Sequence, residues 1–364
     1  MLVRGQVSAA LSDRYAAGVR AGLRRLADLG YAPSAATLDL VAPYVPEAEL
    51  AALRLRFDAN RRPVEASREI LTVPATRRLI EGIAWDPSHA RLFAGSVVER
   101  VLLRWDGRTW PVVRVNAGSV FGLAVDDRRK LLWIASGVVD QTASPETAFR
   151  GLIALDLDTL RTVRRVPIEG EGSPADIAVG PDGTVFASDP LRGTIYRLGA
   201  DDDEVSIALP PGRLRNPQGL VPASDGRRLY VSDYGHGLAV LDLGDGSLTR
   251  LESDVDTMLD GIDGLTAWEG GLIAVQNGTS PRRILHLSLD SDGSRIVGVR
   301  IVERAHPEWG EPTLGFVDGD VFVYVADAQW ERFGPGGALI GEAPLRPTAI
   351  RSVPLRPGAE RPAN

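Results

Sequence analysis

Cysteine is absent from the 364-residue chain, which excludes thiol nucleophiles, disulfides and thiolate metal sites. Lysine is nearly absent as well: Lys130 is the single one among 41 basic residues, so Schiff-base chemistry has little scope. Histidine is scarce, and His89, His236, His286 and His306 do not pair at zinc-ligand spacing. No uninterrupted apolar run reaches the roughly 20 residues needed to cross a bilayer, so no membrane span is expected. The opening stretch MLVRGQVSAALSDRYAAGVRAGLRR lacks the continuous apolar core of a signal peptide. The expectation is a cytoplasmic protein, or a periplasmic or secreted one if the true start lies upstream. The sequence leaves the oligomeric state open.

What is present is ordinary for a globular protein: 44% hydrophobic and 24% charged residues. A net charge of -7 favours solubility and supplies no basic face for nucleic acid. No nucleic-acid partner is expected.

Residues 12–60 read as helices. Ser12 or Asp13 is placed to cap a segment with apolar Ala16, Val19, Leu23 and Leu26 at helical spacing, and Gly30 ends it. PEAELAALRLRFDANRRP puts Pro46 at a first helical position and stops before Pro63. SAATLDLVAPYV between them is a weaker helix. Residues 1–67 therefore form a helical N-terminal extension, tetratricopeptide-like but degenerate, since one such unit cannot build a concave surface by itself.

From residue 68 the texture changes to short β-rich runs broken by Gly, Asp and Pro. Six segments align: EGIAWDPSHARLFAGS, FGLAVDDRRKLLWIAS, ADIAVGPDGTVFASD, QGLVPASDGRRLYVSD, DGLTAWEGGLIAVQN and EPTLGFVDGDVFVYVAD. Their first residues, or heads, are Glu81, Phe121, Ala175, Gln218, Asp263 and Glu311, spaced 40, 54, 43, 45 and 48 residues apart. That period matches a four-stranded propeller blade. RGLIALDLDTL, GTIYRLG, GLAVLDL and RRILHLSLD supply third strands, and VVDQTASPETAF suits an inserted loop after Phe121. Either SREILTVP or TAIRSVPL can close the last blade. The fold expected is all-β, a six-bladed β-propeller over 68–355, followed by a flexible tail at 356–364.

Propeller geometry explains the acidic heads. The first strand of each blade lines the central channel, so Glu81, Gln218, Asp263 and Glu311 converge near the axis at one end. Three carboxylates and an amide in one space suit a hard divalent ion, Ca²⁺ first, with Mg²⁺ or Mn²⁺ as alternatives. Asp176 sits one place past its head. Asp260-Gly261 reads as a turn, and DDDE at 201–204 as a solvated loop. Asp189 and Asp233 read as turn-fixing residues at blade ends.

The order and spacing of EGIAWDPSHARLFAGSV, NPQGLVPASDGRRLYVSD, DGIDGLTAWEGGLIAVQNG and GEPTLGFVDGDVFVYVADAQW resemble the gluconolactonase/regucalcin (senescence marker protein) family of six-bladed propellers. The resemblance implies a divalent cation held by Glu81, Gln218 and Asp263, and metal-dependent hydrolysis of a sugar lactone with Asp263 as general base. Two positions depart from the family pattern. Gln218 stands for an Asn, moving the donor oxygen out by one methylene, and a substrate-contacting Asn falls on Ala175, with Asp176 beside it. Glu311 is the second candidate base, and Asp176, Gln276, Asn277 and His306 are candidate substrate contacts. No G-x-S-x-G motif occurs, which argues against a nucleophile-elbow serine hydrolase. A non-catalytic ligand- or protein-binding propeller and a strictosidine synthase-like propeller are the alternatives.

Overall fold

The computed structural model describes residues 3–356. Six sheets follow one another around a ring, and their inner strands are Ile80–Asp86, Ser119–Asp126, Ile177–Val179, Pro217–Pro222, Leu265–Trp268 and Gly315–Asp318. These define blades I to VI. Each blade is an antiparallel meander; blade V has in addition a short parallel edge, Glu252–Ser253 against Arg295–Ile296. The expected third strands form as Gly151–Asp156, Thr194–Leu198, Gly237–Asp242 and Arg283–Leu289. Loop 138–150 is the insertion in blade II, with one 3₁₀ turn at Pro145–Thr147.

Of the two candidates for closure, the earlier segment is the one that seals the ring. Arg68–Val73 is the outermost strand of blade VI and pairs antiparallel with Thr348–Pro354, which is the third strand of that blade. Tyr324 and Glu303 reinforce the seal from within. The Glu303 carboxylate accepts the Ala66 and Ser67 amides at 3.1 and 2.8 Å and the Tyr324 hydroxyl at 2.7 Å.

The inner strands pack closely because of the residue after the head. A Cβ on Gly82 would run into the Phe121 carbonyl oxygen of blade II. On Gly219 it would lie 2.6 Å from the Asp263 carbonyl oxygen, and on Gly264 3.0 Å from that of Thr313. Backbone bonds tie the same neighbours, Gly122 N–H to Ala175 O and Gly219 N–H to Asp263 O, both 2.8 Å. The ring closes where the Thr313 hydroxyl donates to the Glu81 carbonyl oxygen at 2.9 Å. Glycine follows the head in four blades because each inner strand nearly touches the next.

Four helices precede the ring: α1 Val3–Ser12, α2 Ala16–Asp28, α3 Ala35–Val41 and α4 Glu47–Asn60. Helix α1 lies before the region read as helical, and it carries Ser12 as its last residue. Tyr15, with no side-chain bond to the helix, stands at the N-terminal end of α2, so neither Ser12 nor Asp13 is the cap. Ser34 caps α3 by accepting the Thr37 amide, and Pro46 lies just outside α4. Val19, Leu23, Val41, Leu53 and Phe57 form their shared core. No described helix is long and apolar enough to cross a membrane. Apart from Arg356, the expected tail lies outside the described residues.

Candidate functional site

Glu81, Phe121 and Gln218 lie near the start of their inner strands, whereas Ala175, Asp263 and Glu311 lie in the segments that lead into theirs. Glu81 is buried, and its Oε2 accepts the Trp330 indole N–H at 2.7 Å. Asp263 keeps part of its surface open, and its Oδ2 accepts the Asn277 amide at 2.7 Å. Among the described residues no hydrogen bond reaches Glu81 Oε1 or Asp263 Oδ1, so each carboxylate has one oxygen held and one available. Gln218 behaves similarly: its Nε2 donates to Asn216 Oδ1 at 2.9 Å, which leaves Oε1 as a free acceptor.

The carboxyls feel one another. Burial, then the Asp263 charge, pushes Glu81 well above the usual range, and the Trp330 N–H opposes this; Glu311 and Asp176 add to the rise. Asp263 is pushed up to about 7 by burial, with the Asn277 bond opposing and Glu311 contributing. Asp176 is also pushed up to about 7, by burial first. Glu311, half-buried, is raised by burial and held back chiefly by Arg282. Clustered, largely buried acids with raised pKa values mark a functional candidate on physical grounds.

Asn277 links the cluster. Its Nδ2 also donates to the Pro312 carbonyl oxygen at 2.9 Å, while its Oδ1 accepts the Tyr234 hydroxyl at 2.9 Å. Tyr234 itself is raised by burial and by Asp263, so it remains a donor. Beside Glu81, the Trp330 ring lies 6.4 Å from that of Phe121 with an 8° angle between planes.

Asp176 occupies the position that is glycine in four other blades. Its Oδ1 accepts the Ile177 amide at 2.8 Å and its Oδ2 the Leu220 amide at 3.3 Å, so a side chain replaces the close backbone contact there. The inner strands enclose a cavity of about 250 Å³ lined by Ile83, Leu123, Val179, Leu220 and Phe316, with Asp176 also in its wall.

Two expected contacts are committed elsewhere. Gln276 is fully buried: its Nε2 donates to the Met258 and Asp260 carbonyl oxygens at 2.9 and 2.7 Å, and its Oε1 accepts from Arg283 at 2.8 Å. Its alternation along the strand turns it away from the face that Asn277 reaches. His306 is buried against blade VI, its ring nitrogens facing Arg351 at 3.0 Å and the Glu308 amide at 3.2 Å. It belongs to the packing between blades, which removes it as a base or substrate contact. Asp189 and Asp233 do fix turns, through the Leu191 and Arg192 amides and the Arg215 and Asn216 amides.

Tyr234, Trp330 and Asn216 escape the sequence reading. Tyr234 and Asn277 both stand one place beyond a second strand, after Asp233 and Gln276, and that shared position is the signal that would have found Tyr234.

Among the described residues no three His, Asp or Glu side chains form a metal-holding group. The oxygen donors of Glu81, Asp263 and Gln218 are of the kind a hard ion takes.

Solved structures share the fold. The luciferin-regenerating enzyme aligns with TM-score 0.55 and 16% identity over 80% of this chain and 95% of its own. A calcium-binding protein, regucalcin from Agrobacterium tumefaciens, gives 0.52 and 17% over 79% and 96%. The PQQ-bound aldose sugar dehydrogenase of Streptomyces coelicolor gives 0.51 and 16% over 80% and 99%. At such identities the likeness is one of fold. No family model and no curated protein matches the chain.

Proposed function

We propose that the axial site hydrolyses a small cyclic ester of the sugar-lactone class with a divalent cation, Ca²⁺ first, held by Glu81, Asp263 and Gln218. The observation that carries this reading is the pair Glu81 and Asp263, drawn from blades I and V. Each has one oxygen fixed by an N–H donor, and the two lie close enough for the Asp263 charge to raise the Glu81 carboxyl. A regucalcin described as calcium-binding shares the fold, which is consistent with the choice of ion.

When bound, the cation supplies a Lewis acid for the ester carbonyl. The residues of this chain do the rest. The part-exposed Trp330 ring, backed by Phe121, offers a flat face for a ring. Asn277, itself oriented by Tyr234, fixes the Asp263 carboxylate. Asp263, or Glu311 beside it, takes a proton from the water as it adds to the carbonyl carbon, and returns that proton to the ring oxygen as the C–O bond breaks, giving the open-chain hydroxy acid.

The test is a panel of lactones assayed as purified, with EDTA, and with Ca²⁺, Mg²⁺ or Mn²⁺ restored. Turnover lost to chelator and regained with an ion supports the reading; no opening of any lactone with any ion removes it. A binding-only propeller is favoured by the lack, among the described residues, of a three-acid group and by Ala175 in the third head. It gives saturable ligand binding without turnover in the same panel.

A further inference from the structure

The two loops that hold Asp263 and Asn277 are braced from two sides, by the ring and by the helical extension. Loop 256–263 and hairpin 277–282 touch through the Gly278 amide and the Gly261 carbonyl oxygen, 3.0 Å apart, with no room for a Cβ on Gly261. From within the ring they are tied by the Gly261 amide to the Tyr234 carbonyl oxygen at 2.6 Å, by the Ser232 hydroxyl to the Ile262 carbonyl oxygen and by Gln276; from outside the ring they are held by the helices. Arg4 of α1 reaches both at once: Nη1 donates to the Gly278 carbonyl oxygen at 2.9 Å, and Nη2 pairs with the Asp260 carboxylate. Asp260 is 3% exposed, and a carboxylate so buried requires a partner.

Further ties run along the same seam. Arg25 makes a two-pronged bond to Asp256 at 2.7 Å. The Ala32 amide donates to the Ser280 carbonyl oxygen at 2.7 Å, and the Ser280 hydroxyl returns a bond to Ala32 O at 2.8 Å. Buried Arg283 joins the Leu29 carbonyl oxygen to Gln276, which in turn holds Met258 and Asp260. Met258 packs among Val7, Leu26 and Leu29.

We infer that the helical extension is a structural part of the axial site and that Arg4 is its positioning residue, clamping the loop before Asp263 to the loop after Asn277. This rests on the reading of Asp263 and Asn277 as site residues. Helices that merely pack on the propeller need no ion pair directed at these two loops; helices that set their separation do.

The experiment uses the full chain as Arg4→Ala, Arg4→Lys and the double variant Arg4→Ala/Asp260→Asn. The double variant leaves no lone buried carboxylate, and so covers the case in which the single variant fails to fold. Amide exchange is followed by mass spectrometry, and Ca²⁺ binding by calorimetry. In Arg4→Ala and the double variant, exchange at 257–263 and 277–280 should rise about tenfold with blades I to III unchanged. Ca²⁺ affinity should fall by about tenfold, and Arg4→Lys should restore most of both. Unchanged exchange in the two loops, or an equal rise throughout the ring, overturns the inference. If the unaltered protein binds no divalent cation and opens no lactone, the functional proposal fails, and the exchange data still decide the clamp.

Discussion

Asn277 donates to Asp263 across 2.7 Å while accepting the Tyr234 hydroxyl across 2.9 Å. One amide therefore connects the ends of the second strands of blades IV and V with the head of blade V. Replacing Asn277 by Ala strands the Tyr234 hydroxyl and the Pro312 carbonyl oxygen, which should cost about 1–3 kcal/mol. Lactone turnover should also fall further than loss of folded protein explains. Urea unfolding alongside kinetics separates the two effects.

Asp263→Asn keeps the shape of the side chain and removes its charge. Turnover should drop by about 10²–10⁴-fold, with an unchanged circular dichroism spectrum. Without metal the variant should melt no lower than the parent, because a raised pKa reports unfavourable charge rather than stabilising charge. Retained turnover would remove Asp263 from the mechanism.

Trp330→Phe preserves the ring and deletes its N–H. That bond favours the ionised form of Glu81, so its loss pushes the carboxyl higher still. Ca²⁺ affinity near neutral pH should weaken by about tenfold or more, and the midpoint of the pH dependence of binding should move up. Calorimetry at several pH values checks both.

Asp176 and Asp263 are both near 7 in the folded protein and about 3.9 when unfolded. Between those values the folded state holds more protons than the unfolded one, so stability falls as pH rises. The metal-free protein should melt several degrees higher at about pH 5 than at about pH 8, other groups aside. Calcium at about pH 8 should recover the difference. Scanning calorimetry in EDTA and in Ca²⁺ provides the comparison.

Gly82→Ala places a methyl group against the Phe121 carbonyl oxygen and should destabilise by about 1–3 kcal/mol. Gly235→Ala has open space around its Cβ and should change stability by less than about 0.5 kcal/mol. Equal effects of the two would show that the inner ring is looser than described.

The propeller is legible in the sequence because each blade repeats the same demand: a head, a residue small enough for the neighbouring strand, then an apolar pair of strands. Glu81, Asp263 and Asn277 lie on that repeating frame or beside it, and the structure brings them together. Trp330 lies in a non-repeating loop, and no period announces it. Gln276 and Asn277 are adjacent in sequence, yet strand alternation sends one into the seam and the other to the axis. His306 precedes Glu311 by only five residues, but its loop folds against Arg351. Helix α1 is missed because its sequence, VRGQVSAALS, has little amphipathic contrast; its place is set by Arg4 and Val7 docking on blade V.

Pairing of Arg68 with Ser352 also imposes an order on synthesis. The segment that shuts the ring leaves the ribosome early, and its partner is made only when translation has passed residue 352. Until then the nascent chain carries unpaired strand edges on both sides of the gap, the state most open to pairing with other chains. Stalled or truncated products would thus be the aggregation-prone species of this protein.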